Sequence, residues 1–278
     1  MLHVAILVHR HDAFRQIGYW LRALAEVWQE NGVRVSVLHG PQARAEADIA
    51  ILHVDLTVVP EEYLKFARQF PVVVNGGVPD ISKRRVSQQL VRRANGYEGP
   101  VIVKSDRNFM GHPEAALSRR DAAGRWWKRP IKPVVDAYRI FNSAREVPGR
   151  VWKAPELVVE QFLPERWEGH YCVRTWLFFG DQERHTLFYA TDPLVKSASI
   201  VGRKPLAEVP ESIRQRRRDL KFDFGKFDYA VSDGRPVLFD ANRTPTIGSF
   251  PREQYLPLVR VLAKGINAFR HAAIEPGR

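Results

Sequence analysis

Residues 227–246 read FDYAVSDGRPVLFDANRTPT. Two apolar-rich runs flank a Ser-Asp-Gly turn, the pattern of a β-hairpin. Asp228, Asp240 and Asn242 interrupt those runs, so strand faces and turn length must be solved together. Side chains alternate faces along a strand, and the loop length therefore decides which residues share a face. A two-residue turn at Asp233-Gly234 sets Asp228 opposite Phe239 and mixes polar with apolar groups on both faces. A three-residue loop, Asp233-Gly234-Arg235, uses Gly234 as the left-handed residue. It sets Asp228 opposite Asp240 and Lys226 opposite Asn242. One face becomes Phe227, Tyr229, Val231, Val237, Phe239 and Ala241, and the other Lys226, Asp228, Ala230, Leu238, Asp240 and Asn242. This sorting selects the three-residue loop. Two facing carboxylates repel unless a cation lies between them. An oxygen set of Asp228, Asp240 and Asn242 suits Mg²⁺ or Mn²⁺. The alternative is a solvated strand face on which the two aspartates pair with Lys226 and Arg243.

The chain has 278 residues, enough for one large or two small domains. Its single cysteine, Cys172, forbids an internal disulfide and a cysteine-based metal site, which fits a reducing cytoplasm. No apolar run approaches the ~18 residues of a membrane span, so no membrane partner is expected. MLHVAILVHRHD reads as a first strand rather than a signal peptide. The formal charge of +12 favours an anionic partner: a nucleotide, nucleic acid, or an acidic or phosphorylated small molecule or peptide. A basic surface serving solubility is the other reading. The basic runs at 83–85, 92–93, 119–120 and 214–218 are scattered and do not interleave with aromatics as a nucleic-acid platform does. Trp126-Trp127-Lys128-Arg129 is the exception.

The first 75 residues alternate strand and helix patterns: strands at 2–8, 33–38, 49–54 and 71–75, helices at 13–31 and 60–69. This argues an α/β layer with a mostly parallel sheet. No GxGxxG follows the first strand. The turn-rich NGGVPD at 75–80 marks a boundary. A basic helix over 79–94 follows, with Ser82 as N-cap. Residues 99–106 form a strand bearing Lys104, and 105–135 read as a loop-bearing lid. From residue 134 the pattern is β-rich, at 134–142, 157–163, 171–179 and 184–190, giving α+β character. Helices are expected at 208–220 and 252–271.

Several residues could carry chemistry. Lys104 projects from a strand and can hold phosphate as a point charge. SDRNFMGHPE after it could cover phosphates, or be a plain surface loop. Glu160 sits inside the apolar strand LVVEQF and needs a donor there: a ribose hydroxyl, an adenine amino group or a neighbouring arginine. Arg174 is the only charge in YCVRTWLFF, and suits a phosphate or carboxylate, or a buried pair with Glu160 or Asp228. His9 and His11 lack a third ligand nearby and read as surface residues. No Walker A, Gly-x-Ser-x-Gly, HExxH or paired CxxC motif is present.

Taken in order, these pieces resemble the ATP-grasp superfamily of carboxylate–amine ligases, in the manner of the D-alanine–D-alanine ligase, glutathione synthetase and ribosomal-protein glutamate ligase groups. The resemblance spans most of residues 71–250. KFDYAVSDGRPVLFDANRTP is similar to the family's Arg-x-Asp … Glu-x-Asn-x-x-Pro pattern. It implies a short Rossmann-like N-terminal domain (1–76) followed by an ATP-grasp domain (77–278) with a lid subdomain at about 96–160. It implies ATP and Mg²⁺ (or Mn²⁺) as cofactors. Lys83 and Lys104 would bind phosphates. Glu160, Gln161, Phe162 and Leu163 would form the adenine-reading hinge, and Glu168 would touch ribose. Asp228, Asp240 and Asn242 would ligate the metal. Lys226 stands where the family often has Arg, and Arg174 and Arg243 would face the transferred phosphoryl or acyl group. Asp240 replaces the usual bridging Glu, and the lid loop is poorer in Gly and Ser than is typical. The implied reaction phosphorylates a carboxylate and passes the acyl group to an amine; no general base is assigned. The rivals are an ATP-grasp kinase or thioligase, and a non-catalytic basic module binding nucleotide or RNA.

Overall fold

The computed structural model describes residues 1–42, 45–125, 128–135 and 137–274. The Trp126-Trp127 pair lies outside them. Strands β1 (His3–Val8), β2 (Arg34–His39), β3 (Ile49–Leu52) and β4 (Val72–Val74) form a parallel sheet in the order β2-β1-β3-β4. Helices α1 (Trp20–Glu30) and α2 (Glu61–Ala67) cover it. The expected helix over 13–31 begins only at Trp20. Tyr19 is extended (φ −67°, ψ 140°), and Trp20 N–H donates to Pro245 at 3.0 Å, which holds the preceding residues out of the helix.

The basic helix expected over 79–94 is a single turn, α3 (Lys83–Val86), and Ser82 makes no side-chain cap. Beyond it the chain runs extended beside a strand. Val91 N–H donates to Val159 and Gln161 N–H to Gln89, at 2.8 and 2.9 Å. Those pairings replace helical bonds. An antiparallel sheet, β6-β5-β7, contains β5 (Val101–Ser105), β6 (Arg139–Phe141) and β7 (Leu157–Gln161). The stretch expected to be loop, 105–135, contains α4 (His112–Ala122), whose described buried residues are Ala115 and Leu117.

The largest sheet runs β11-β10-β9-β12-β13, with β8 also pairing β9. Its strands are β8 (Glu165–Trp167), β9 (His170–Phe179), β10 (Gln182–Ala190), β11 (Ile200–Pro205), β12 (Phe224–Ser232) and β13 (Arg235–Asn242). One face packs Trp176, Phe178, Phe227, Tyr229 and Leu238 against Ile213 of α5 (Glu211–Asp219). The other face divides along its length. Leu177, Phe179 and Phe224 join the core of β1, α1 and α6 (Arg252–Ala263), whereas Thr175, Lys226 and Asp228 stay polar. The expected closing helix 252–271 breaks at a 3-10 turn, Lys264–Ile266, before α7 (Asn267–Ile274). There a Cβ on Gly265 would lie 1.9 Å from the Phe179 carbonyl, so this turn sits directly against β9. No helix among the described residues is long and apolar enough to cross a membrane.

Candidate functional site

The β12–β13 hairpin joins through a two-residue turn, Asp233-Gly234, with φ 48° and 74° at its two positions. Two consecutive left-handed residues give the tight turn whose twist suits a hairpin. The expected three-residue loop is therefore absent. Asp228 nevertheless pairs with Asp240 and Lys226 with Asn242, because the register shifts between Asp228 and Tyr229. Tyr229 pairs with Leu238, leaving Phe239 as the extra residue of a β-bulge. The bulge supplies the odd residue that the loop was expected to supply. It also exchanges two side chains: Leu238 enters the core, while Phe239 turns to the polar face, its ring 5.0 Å from Lys104 Nζ.

Three lysines and three carboxylates gather there. Lys83 Nζ donates to Asp240 Oδ1 at 2.5 Å, Lys226 Nζ lies 2.8 Å from Asp228 Oδ2, and Lys104 Nζ donates to Glu160 Oε2 at 2.7 Å. Thr175 Oγ1 donates to Asp228 Oδ1 at 2.8 Å. Burial alone would lower the Lys83 pKa, but the Asp240 carboxylate more than offsets it and holds the ammonium raised. Lys226 is likewise raised, with Asp228 outweighing burial. Burial would raise the Asp240 carboxyl, but Lys83 foremost, then Lys226 and Lys104, holds it lowered. Both aspartates therefore carry lysine counter-charges. Lys226 fills its part of the paired-aspartate alternative, and Lys83 stands in the place expected of Arg243.

Arg243 points elsewhere. Its guanidinium is fully buried and donates to the backbone carbonyls of Val54, Leu56, Thr57 and Val78. Burial lowers its pKa to about 10, which leaves it charged at neutral pH. It clamps the segment after β3 instead of facing a phosphoryl group. Arg174 pairs with Tyr229 across β9 and β12 and so shares the α5 side of the sheet, opposite Asp228 and Thr175. Its guanidinium binds both oxygens of Glu165, at 2.7 to 3.1 Å, and neither Glu160 nor Asp228 is its partner. Strand parity decides this: neighbouring Thr175 faces the cluster, so Arg174 cannot.

Glu160 is fully buried in β7 and holds Lys104, so it faces no open space for a ribose. Among the described residues its Oε1 has no partner, nor does Oε1 of neighbouring Gln89. In the hinge segment, Gln161 N–H donates to Gln89 and Phe162 N–H to Pro100, at 2.9 and 2.8 Å. Glu168 occupies the exposed tip of the β8–β9 hairpin at φ 48°, outside the lysine–carboxylate cluster. Asn242 Oδ1 accepts from Thr244 N–H at 2.8 Å.

The structure adds Gln89, Tyr138, Thr175 and Phe239 to the site. Tyr138 lies under two cations, Lys104 and Lys196, at 6.0 and 5.9 Å, and burial pushes its phenol up to about 12. Only Thr175 had a sequence signal, since a strand that turns Arg174 to one face turns Thr175 to the other. His9 and His11 are half-buried; His11 Nε2 lies 3.0 Å from Asp121 of α4, tying that helix to the end of β1.

The donor set tests the fit of a metal. Among the described residues no group of three or more His, Cys, Asp and Glu side chains forms a metal cage. Asp228, Asp240 and Asn242 offer two carboxylates and a carboxamide, all hard oxygens, and Asp240 keeps 29% of its side-chain surface exposed. Mg²⁺ is ordinarily held by one or two carboxylates together with phosphate oxygens and water, so this set fits.

No protein-family model matches the sequence, and no curated protein sequence does either. Solved structures do match. The ATP-grasp ligase PsnB with its minimal precursor aligns at 9% identity and TM-score 0.55, over 95% of this chain and 100% of that one. Macrocyclase MdnC bound with precursor peptide MdnA, from Microcystis aeruginosa MRC, aligns at 9% identity and TM-score 0.53, over 96% and 100%. D-alanine–D-alanine ligase from Bacillus anthracis aligns at 10% identity and TM-score 0.51, over 99% and 98%. The chain has the mixed helix-and-sheet fold of these ATP-grasp proteins.

Proposed function

We propose that this chain is an ATP- and Mg²⁺-dependent ligase that activates a carboxylate as an acyl-phosphate and joins it to an amine. The observation that carries the reading is the convergence of Lys83, Lys104 and Lys226 with Asp228 and Asp240 on one sheet face, inside a fold shared with ATP-grasp ligases. PsnB has been solved with Mg and ADP, and the Bacillus anthracis ligase with ATP.

In this reading Lys83 and Lys104 neutralise phosphate oxygens, the main electrostatic contribution to phosphoryl transfer. Glu160 keeps Lys104 oriented. Asp228, Asp240 and Asn242 would hold Mg²⁺, which, when bound, screens charge on the phosphates. Asp240 would exchange Lys83 for the metal, freeing that ammonium for the nucleotide. With Gln161 and Phe162 N–H already used, the Phe162 carbonyl and Leu163 N–H would take the adenine edge. Phe239 and Tyr138 flank Lys104 and would help shield an acyl-phosphate from water, which otherwise hydrolyses it. Arg174 and Arg243 have no place in this chemistry. The precursor peptide bound to MdnC and the minimal precursor bound to PsnB favour a peptide as substrate, and the +12 charge favours an acidic one.

The test is thermal unfolding with ATP, Mg²⁺ or both, in wild type and Lys83→Met, followed by an ADP-release screen over acidic peptides, amino acids and amines. ATP with Mg²⁺ stabilises wild type by several degrees, either alone does so less, and Lys83→Met loses most of the shift. No stabilisation of wild type by ATP with Mg²⁺ rejects the reading. Binding without ADP release from any carboxylate–amine pair favours the non-catalytic module, for which the lysine-paired state of both aspartates is the supporting observation.

A further inference from the structure

The parallel sheet runs β2-β1-β3-β4, so the chain leaves β1 to one side for β2 and crosses to the other for β3. The crevice beyond the carboxyl ends of β1 and β3 is thus the switch point, where open α/β sheets bind ligands. Two aspartates stand there: Asp12 after β1 and Asp55 after β3. Tyr19 Oη lies between them, 3.2 Å from Asp12 Oδ2 and 3.0 Å from Asp55 Oδ2.

A phenol has one hydrogen and can donate to only one of these oxygens. The other contact requires a proton on a carboxyl. Asp55 Oδ1 also accepts from Thr244 Oγ1 at 2.6 Å, so both Asp55 oxygens have donors within reach. Asp12 is 7% exposed and its Oδ1 has no partner among the described residues. A bare buried carboxylate oxygen is costly, whereas a neutral carboxyl tolerates the site. The bonds therefore run one way: Asp12 O–H to Tyr19, and Tyr19 O–H to ionised Asp55.

The surrounding groups agree. Burial first, then Asp55, pushes Asp12 up to about 7, against weaker opposition from Tyr19 and from Arg120 of α4. Asp55 is raised by burial, with Glu114 adding to this and Thr244, Tyr19 and Arg243 opposing it. His53 packs edge-on against Tyr19 at 4.6 Å, and burial lowers it to about 3, so it brings no charge. Asp55 keeps part of its surface open, and Arg243 clamps the carbonyls on both sides of it. Through Thr244 it lies beside Asn242, at the edge of the lysine–carboxylate cluster.

We propose that Asp12 and Asp55, bridged by the Tyr19 hydroxyl, share one carboxyl proton as a singly charged dyad, and that Asp55 is the proton acceptor for the incoming amine. This rests on the ligase reading above. The amine nitrogen forms its bond to the acyl carbon, and the carbon–oxygen bond to phosphate breaks with its electron pair leaving on phosphate. The surplus proton passes from nitrogen to Asp55, leaving both carboxyls neutral until one proton returns to water.

The proton is tested without any ligand, by carbon NMR of the full chain labelled at the aspartate carboxyl carbons and titrated with acid and base. One carboxyl is expected to stay protonated until about pH 7, and its midpoint to fall by about one unit or more in Asp55→Asn. Ionisation of every aspartate in the wild type below about pH 5 overturns the shared proton. The acceptor role is tested with the carboxylate–amine pair found by the ADP screen. Asp55→Asn is expected to lower kcat by about 100-fold or more and to erase the limb of the pH profile near 7, with KM for ATP unchanged. An unchanged kcat and pH profile overturns the role. If wild type shows no stabilisation by ATP with Mg²⁺, the ligase reading fails and the acceptor role with it, while the carboxyl spectrum still decides the shared proton.

Discussion

Asp240→Asn isolates what holds β13, at the end of the large sheet, to α3. The substitution keeps the shape of the side chain and removes its charge. Lys83, 3% exposed at its side chain, then faces a neutral amide where it had a carboxylate at 2.5 Å. Breaking a buried ion pair from one side costs about 3–5 kcal/mol. Two features reduce that here: Asp240 is 29% exposed, and Glu160 also acts on the Lys83 charge. A loss of about 2–3 kcal/mol is therefore expected. Lys83→Met combined with Asp240→Asn removes both charges and should recover most of the loss, giving a coupling of about 2 kcal/mol in a double-mutant cycle. The assay is urea unfolding of the nucleotide-free protein at pH 7, read as midpoint shifts at constant slope. If Asp240→Asn unfolds within about 0.5 kcal/mol of wild type, or the two losses simply add, the pair is not the bond described.

Arg243→Lys keeps the charge but loses the planar fork that reaches four carbonyls, and should cost about 2–3 kcal/mol in urea unfolding. Arg174→Lys should leave ATP stabilisation in the presence of Mg²⁺ unchanged, because its partner Glu165 lies on the far sheet face. Asp12 carries a pH signature. It loses its proton near 3.8 when unfolded and near 7 when folded, so between these values the native state binds more protons and stability falls as pH rises. The drop approaches ~4 kcal/mol across that window, and Asp12→Asn should flatten it in pH-dependent thermal unfolding. Gly265→Ala drives a methyl into the Phe179 carbonyl and should lower Tm markedly, by about 5 °C or more.

The sequence made the Asp228–Asp240 and Lys226–Asn242 pairings legible, yet for the wrong reason. Parity demanded one odd residue, and parity cannot say whether that residue sits in a loop or in a bulge. The error surfaces only at Leu238 and Phe239, which exchange faces. The parallel β1–β4 sheet was readable because buried strands are continuous apolar runs. Helix α4 was not, because HPEAALSRRDA has no apolar stripe. It is held by tertiary bonds: Glu114 accepts from Thr57, and Asp121 meets His11. Arginines were the hardest residues to place. A lone Arg in an apolar strand says that it needs an oxygen, and the oxygens of Glu165 and of four peptide groups satisfy it as well as a phosphate does.

The Arg243 cradle has a consequence for how this chain can vary. Its acceptors are peptide carbonyls, so it senses the path of the backbone and is blind to the side chains along it. Val54, Leu56, Thr57 and Val78 can change identity without losing that contact, whereas one residue inserted or deleted within 53–58 would pull the acceptors out of reach and take Asp55 with them. Drift among related chains should therefore show free substitution but fixed length in this segment, whenever an arginine follows the strand-end asparagine.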